Sequence, residues 1–329
     1  MKLKTILKSI VYRAYYLGRY HNILYSRIKK NDFIPILSLH KISPERNSFW
    51  QPLHPSIFEK LIIHLKKQFE IVTLHELEQV VCKKPKLVLS FDDGYYDFIE
   101  YAMPILKKHQ IKANLNIIPS QLMGEKALWN IAIYDFLNAA PVLLLKEIKF
   151  LNFDAKKLVR SHLNKTQFGL LISKTLKNLP SSERDPVIKH LEENFFSKLS
   201  NYPKTRMIRL NEIDSVISEH EIGVHSYSHN SMEFETMEYF IDDFKKCQEF
   251  FIKNHFPLLD IYAFPNGSYR PEHISYLKKN NIDYILLVDN EYASCSPYSR
   301  LNIAAYSQYE ALFQALGIKS KMKVKHVTG

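Results

Sequence analysis

Short apolar runs rich in β-forming residues recur along the chain at residues 34–39, 86–91, 112–118, 221–224, 258–264 and 282–288. Between them lie stretches with helical periodicity, at 56–69, 96–110, 233–254 and 271–280. Strands that alternate with helices argue for βα units and a parallel sheet. Several such units in one domain fit an open doubly wound sheet or a closed barrel. The fold expected is α/β, a distorted (β/α) barrel of about seven strands. The alternation breaks between about 125 and 209, a Leu/Lys-rich region without strand signals that reads as two to four helices. Placed after the strand at 112–118, this helical insertion emerges from the face that carries the other βα loops, where it would form a wall or lid. The expected organisation is therefore an N-terminal helix over 1–30, a barrel domain over 31–320 with an insertion at 125–209, and a basic tail over 321–329.

At 100° per residue, Leu3, Ile6, Leu7, Ile10, Val11, Ala14 and Leu17 fall on one side of the N-terminal helix, and Lys2, Lys4, Lys8, Arg13 and Arg19 on the other. Cations interrupt the segment too often for a signal-peptide core or a spanning helix. A basic amphipathic helix has two destinations, the membrane interface or a seat on its own domain with a solvated basic face. The chain has 329 residues, 46% of them hydrophobic, enough for one large domain. Its net charge of +11 implies an anionic partner, such as phospholipid headgroups or a phosphorylated sugar carrier. No zinc-finger, helix-turn-helix or RNA-binding signature aims that charge at bases, so no nucleic acid is expected. Cys82, Cys247 and Cys295 are odd in number and far apart, which indicates neither a disulfide framework nor a thiolate metal site. Together these features lead us to expect a cytoplasmic protein, peripheral at the inner membrane face through residues 1–30.

Four elements carry candidate chemistry. The buried-strand pattern Leu-Val-Leu-Ser-Phe ends in Asp92, Asp93 and Gly94. Adjacent carboxylates repel and leave a strand in different directions, which suits one on a metal and the other on its water; an Asp-Gly turn with a helix N-cap would leave the same trace. The run Glu-Ile-Gly-Val leads into His225 and, four residues on, His229, a spacing that puts two rings on one side of a helical turn. A third strand runs into Pro265, Asn266 and Gly267, a tight turn whose N–H groups suit a developing oxyanion. His40 ends the first strand. Each element follows a strand, so a barrel would gather all four at one rim. Two His and one Asp with open positions suit zinc and an activated water, although the same set also describes a non-haem iron site. A neighbouring free carboxylate, Asp92, favours hydrolysis.

At these residues the chain resembles the polysaccharide deacetylase family, carbohydrate esterase family four. Ser-Phe-Asp-Asp-Gly is similar to the family's first motif, and Glu-Ile-Gly followed by His-Ser-Tyr-Ser-His to its second. The resemblance implies a distorted (β/α) barrel with Asp92 as catalytic base and with Asp93, His225 and His229 holding a divalent metal, usually Zn2+. It implies an N-acetylated sugar, glycan or lipid-linked glycan as substrate, with acetate and a free amine as products. Two departures stand out. Where the family's third motif often carries an arginine that holds the base, this chain has Ala263, and Arg300 is the expected replacement. The late histidine that serves many members as general acid is absent from 285–290, and His40, as in a branch whose acid comes from an early strand, is expected in its place. A hydrolase of a non-sugar amide, or a non-catalytic sugar-binding or membrane-associated protein, are the alternatives on the same fold.

Overall fold

The computed structural model describes residues 2–45, 51–124, 128–145, 147–150, 153–154, 165–199, 201–292 and 295–320. Strands β1 (Ile36–Leu39), β2 (Glu70–Ile71), β3 (Lys86–Asp92) and β4 (Asn114–Ile117) come first in the chain. A small antiparallel pair, β5 (Lys149–Phe150) and β6 (Phe153–Asp154), follows within the region read as helical. Then come β7 (Glu221–Val224), β8 (Ile261–Ala263), β9 (Tyr284–Leu287), β10 (Tyr298–Ser299) and β11 (Leu301–Asn302). Eight of these follow one another in parallel order β10-β9-β8-β7-β4-β3-β1-β11, with β2 beside β3. The two ends of this path are separated only by Arg300, because Tyr298 pairs with Leu286 on β9 while Leu301 pairs with Leu37 on β1. One short segment thereby closes the sheet into a nearly complete (β/α) barrel, as the alternation of runs predicts.

Successive side chains on a strand point to opposite faces, so each barrel strand feeds two cores. Leu37, Leu39, Leu87, Leu89, Phe91, Leu115, Ile117, Tyr262, Ile285 and Leu287 belong to the large core shared with the surrounding helices. Ile36, Val88, Ile261, Leu286 and Tyr298, of opposite parity, form a separate interior cluster with Val72, Leu74 and Leu77. Higher in the interior the same parity turns polar, to Ser38, Ser90, Asn114 and Asn116, all buried. One step further along it reaches His40, Asp92, His225 and Arg300.

Near the start of β7, His75 is gripped by two carboxylates, with Nδ1 2.5 Å from Glu221 Oε1 and Nε2 2.7 Å from Asp260 Oδ2. Burial opposes the imidazolium, but the Asp260 and Glu221 carboxylates prevail and raise the His75 pKa above its usual 6.5. A raised folded-state pKa gives stability that is complete below 6.5 and fades as pH climbs through the folded value. His75→Gln is therefore expected to lower Tm most below pH 6.5 and progressively less toward pH 9. Melting curves across that range check this, and a pH-independent gap would contradict it.

Among the described residues, the region after β4 contributes helices Trp129–Ala139, Val142–Leu145, Lys165–Lys177 and Ser181–Asn194. They share their own core around Phe136, Leu137, Ile172, Leu176 and Leu191. Residues 155–164 of this expected insertion, and the expected tail at 321–329, lie outside the described residues. The N-terminal segment forms two helices, Lys2–Leu17 and Tyr20–Lys30, rather than one, because Arg19 takes a left-handed φ of 59° after Gly18. Tyr12 is buried and stacks on Phe313, with ring centroids 5.7 Å apart. Ile6, Leu7, Ile10 and Leu17 are more than half exposed. The seat on the domain is thus made by the tyrosine side of the helix and leaves the apolar stripe uncovered among the described residues.

Candidate metal centre

The C-terminal ends of β3 and β7 bring Asp93, His225 and His229 together. Asp93 Oδ1 lies 3.5 Å from His225 Nε2 and 3.2 Å from His229 Nε2, and all three residues are buried. Ligand atoms about 2.1 Å from one tetrahedral ion would stand roughly 3.4 Å apart, so the donor set fits a divalent metal. Asp93 Oδ1 has no aligned hydrogen-bond partner among the described residues, and a buried carboxylate oxygen left this way is ready to bind a cation. The backbone around the triad is shaped for convergence. Asp93, Ser226 and His229 all have positive φ, of 76°, 57° and 58°, a region L-residues enter at a cost that functional sites commonly carry. The two histidines do not meet on a helical turn, as their spacing suggests. His225 ends the strand and His229 returns through an irregular loop closed by the His229 N–H donating to Ser226 Oγ at 2.8 Å.

A partner outside the triad fixes the His225 ring. His225 Nδ1 is 2.9 Å from the Ala263 carbonyl, so it carries the proton and leaves Nε2 as the lone-pair donor. Burial lowers the His225 pKa to about 4, which keeps the ring neutral. Asp243, on helix Met237–Lys253, braces the loop between the histidines: it accepts from the Tyr227 N–H at 2.8 Å and from the Ser228 hydroxyl at 2.7 Å. Asp243→Ala would strand both donors, and supports of this kind typically cost about 10- to 100-fold in metal affinity when removed. Competition against a chelator should register a loss of that size, and unchanged affinity would count against the brace.

Asp92 is the last residue of β3, immediately before Asp93, but faces a different set. Its Oδ1 accepts from Arg300 Nη1 and Asn116 Nδ2, both at 2.8 Å, while its Oδ2 lies 4.0 Å from His40 Nε2. Burial opposes the charge, yet the Arg300 guanidinium beside it prevails and holds the carboxyl at about 2. Arg300 is fully buried and further tied by Nε to the Leu287 carbonyl and by Nη1 to Ser90 Oγ. Ser90 in turn donates to Asn114 Oδ1 at 2.7 Å and accepts from Asn116 Nδ2 at 3.0 Å. A Cβ on Gly223 would stand 2.6 Å from Asn116 Oδ1, so only glycine at this point of β7 leaves room for the network.

The expected positions all border one cavity of about 200 Å³, apart from the buried Arg300 and from Pro265 at the start of its turn. In that turn the Gly267 and Ser268 N–H groups are taken by Phe264 and Pro265 carbonyls, and Pro265 has none, which leaves the N–H of Asn266. Sequence reasoning passed over Asn116, Asn114 and Ser90, although asparagines two apart in an otherwise apolar strand signal a polar interior. It also passed over Asn130, Tyr134 and Lys177, which the inserted helices contribute to the cavity. No periodic signal marks these.

Residues 202–285 match the family described as polysaccharide deacetylase. No curated protein matches the chain in sequence. Among solved structures, it is similar to the Streptococcus pyogenes deacetylase PplD, with a TM-score of 0.54 and 16% identity over 86% of this chain and 98% of that one. It is also similar to IcaB from Ammonifex degensii, with a TM-score of 0.54 and 13% identity over 87% and 97% of the two chains. The polysaccharide deacetylase BC0361 from Bacillus cereus follows at a TM-score of 0.52 and 11% identity, over 86% of this chain and 69% of that one. These identities speak for a shared barrel, while the family match spans the segment holding His225 and His229. Over the segment that carries His225 and His229 the chain thus matches the polysaccharide deacetylase family, on a barrel shared with these deacetylases.

Proposed function

We propose that the chain is a metal-dependent deacetylase that hydrolyses the N-acetyl group of an amino sugar in a cell-envelope glycan or its precursor. The observation that carries this reading is the pairing, on consecutive residues, of a carboxylate fitted to a metal with a second held ionised by Arg300. A bound divalent ion, zinc by the fit of two imidazoles and one carboxylate, would polarise the acetyl carbonyl and acidify the attacking water. Asp93, His225 and His229 hold that ion. Asp92, fixed through Oδ1 and open at Oδ2, takes the proton of the attacking water. His40, across from Oδ2, gives a proton to the departing amine. The Asn266 N–H is the donor available for the developing oxyanion. Acetate release from free, nucleotide-linked and lipid-linked N-acetylated sugars tests the reading. Release from any of them supports it, and acetate from non-sugar N-acetyl amides alone would transfer the site to a different substrate class.

A second element of the proposal is the place of work. Ile6, Leu7, Ile10 and Leu17 are exposed on a basic helix, in a chain of net charge +11. No described helix is long and apolar enough to cross a membrane. An apolar stripe flanked by cations suits a peripheral seat on an anionic membrane surface, and the three free cysteines suit its cytoplasmic side. Replacing Ile6, Leu7 and Ile10 by serine is expected to abolish flotation with vesicles of anionic phospholipid and to leave melting unchanged. Undiminished flotation would remove this element.

A further inference from the structure

Lys177 is the last residue of helix Lys165–Lys177, and it borders the same cavity as Asp92, Asp93, His225 and His229. It is half-buried, and the charge that acts on it is that of Asp93. Among the described residues it makes no ion pair. Its position is not that of a loose surface lysine, because the chain immediately after it is bolted to the loop beyond His229. The Ser181 N–H donates to Glu235 Oε1 at 2.7 Å, and Arg184 Nη2 donates to Asn230 Oδ1 at 2.8 Å. Arg184 also lies over the Trp129 ring, 5.3 Å from its centroid, so two inserted helices are fastened together at this point.

A cation here is costly once the site is loaded. The two carboxylates offset a divalent ion, Arg300 leaves the site positive, and Lys177 adds like charge in a partly desolvated cavity. Burial already lowers the Lys177 pKa. What relieves the excess is a negative group brought by the ligand. Resting on the deacetylase reading above, we infer that Lys177 is a specificity residue that recognises an anionic substituent, phosphate or carboxylate, on the N-acetylated sugar. A role in stabilising only the oxyanion would leave ground-state affinities for neutral and anionic sugars alike.

The test uses calorimetric binding of N-acetylglucosamine, N-acetylglucosamine 1-phosphate and N-acetylmuramic acid to the zinc-loaded full chain, to Lys177→Met and to Lys177→Arg. The expected result is that wild type favours at least one anionic sugar over the neutral one by about tenfold or more, that Met abolishes this preference, and that Arg retains it. Whether the phosphate or the carboxylate compound is favoured identifies the substituent. Equal affinity for all three, no measurable binding, or a preference that persists in Lys177→Met, as direct ligation of phosphate by the metal would give, overturns the inference. Acetate is assayed on the same compounds. A Lys177-dependent preference without acetate would sink the deacetylase reading alone, and acetate without such a preference would sink the Lys177 inference alone.

Discussion

Replacing Arg300 by methionine is expected to cost about 3–5 kcal/mol of stability and to cut turnover by roughly 10²- to 10⁴-fold, while one metal ion per chain is still bound. Arg300 and Asp92 are both almost completely buried, at 0% and 1% exposure, so removing the guanidinium leaves a carboxylate in the barrel interior with Asn116 as its remaining donor. The carboxylate answers such a loss by taking up a proton, which disables it as a base. Among the described residues no hydrogen bond or ion pair joins the metal triad to Arg300 or Asn116, so metal content separates this effect from general collapse. Arg300→Lys should recover only part of the loss. An ammonium cannot reach the Leu287 carbonyl, Ser90 and Asp92 at once as the guanidinium fork does. Urea melts, metal analysis and acetate assays on the two variants check the prediction, and an Arg300→Met enzyme with normal turnover would contradict it.

His229→Ala is expected to abolish stoichiometric zinc binding and reduce activity to background. The ring sits 3.2 Å from Asp93 Oδ1 and is one of the three donors grouped among the described residues, so the loss in affinity should exceed the roughly 10- to 100-fold typical of outer supports. Zinc binding also feeds into stability. A site at 100 times its Kd adds about 2.7 kcal/mol to the folded state, so wild type should melt higher with zinc than with chelator, whereas His229→Ala should melt alike in both. A zinc-dependent shift that survives in the variant would mean that the ion sits elsewhere.

The barrel was legible in the sequence because its strands are buried on both faces and most read as short apolar runs, three of which lead into His40, Asp92 and His225 where the chain leaves the sheet. Period-two parity then predicts which residues face inward, and His40, Asp92 and His225 follow it. The convergence of His225 and His229 was legible only as a spacing. The loop that joins them depends on left-handed conformations at Ser226 and His229 and on a brace from Asp243, fourteen residues beyond His229, and no local pattern encodes that. Arg300 could be named as a replacement for an arginine missing at Ala263. That it also stands where β10 and β11 meet, closing the barrel, follows from pairing with strands at opposite ends of the chain. Lys177 is the extreme case, one lysine among many in a Leu/Lys-rich stretch, singled out only by where its helix ends.

The central claim, a metal-activated hydrolysis with Asp92 as base, is tested most directly by measuring zinc content and acetate release side by side for wild type and Asp92→Asn on an N-acetylated sugar. Asparagine preserves the shape of the side chain and leaves Asp93, His225 and His229 untouched. The account predicts one zinc per chain in both proteins, acetate from wild type that stops on chelation, and a fall of about 10²-fold or more in Asp92→Asn. Acetate release that survives either chelation or the Asp92→Asn substitution would contradict it.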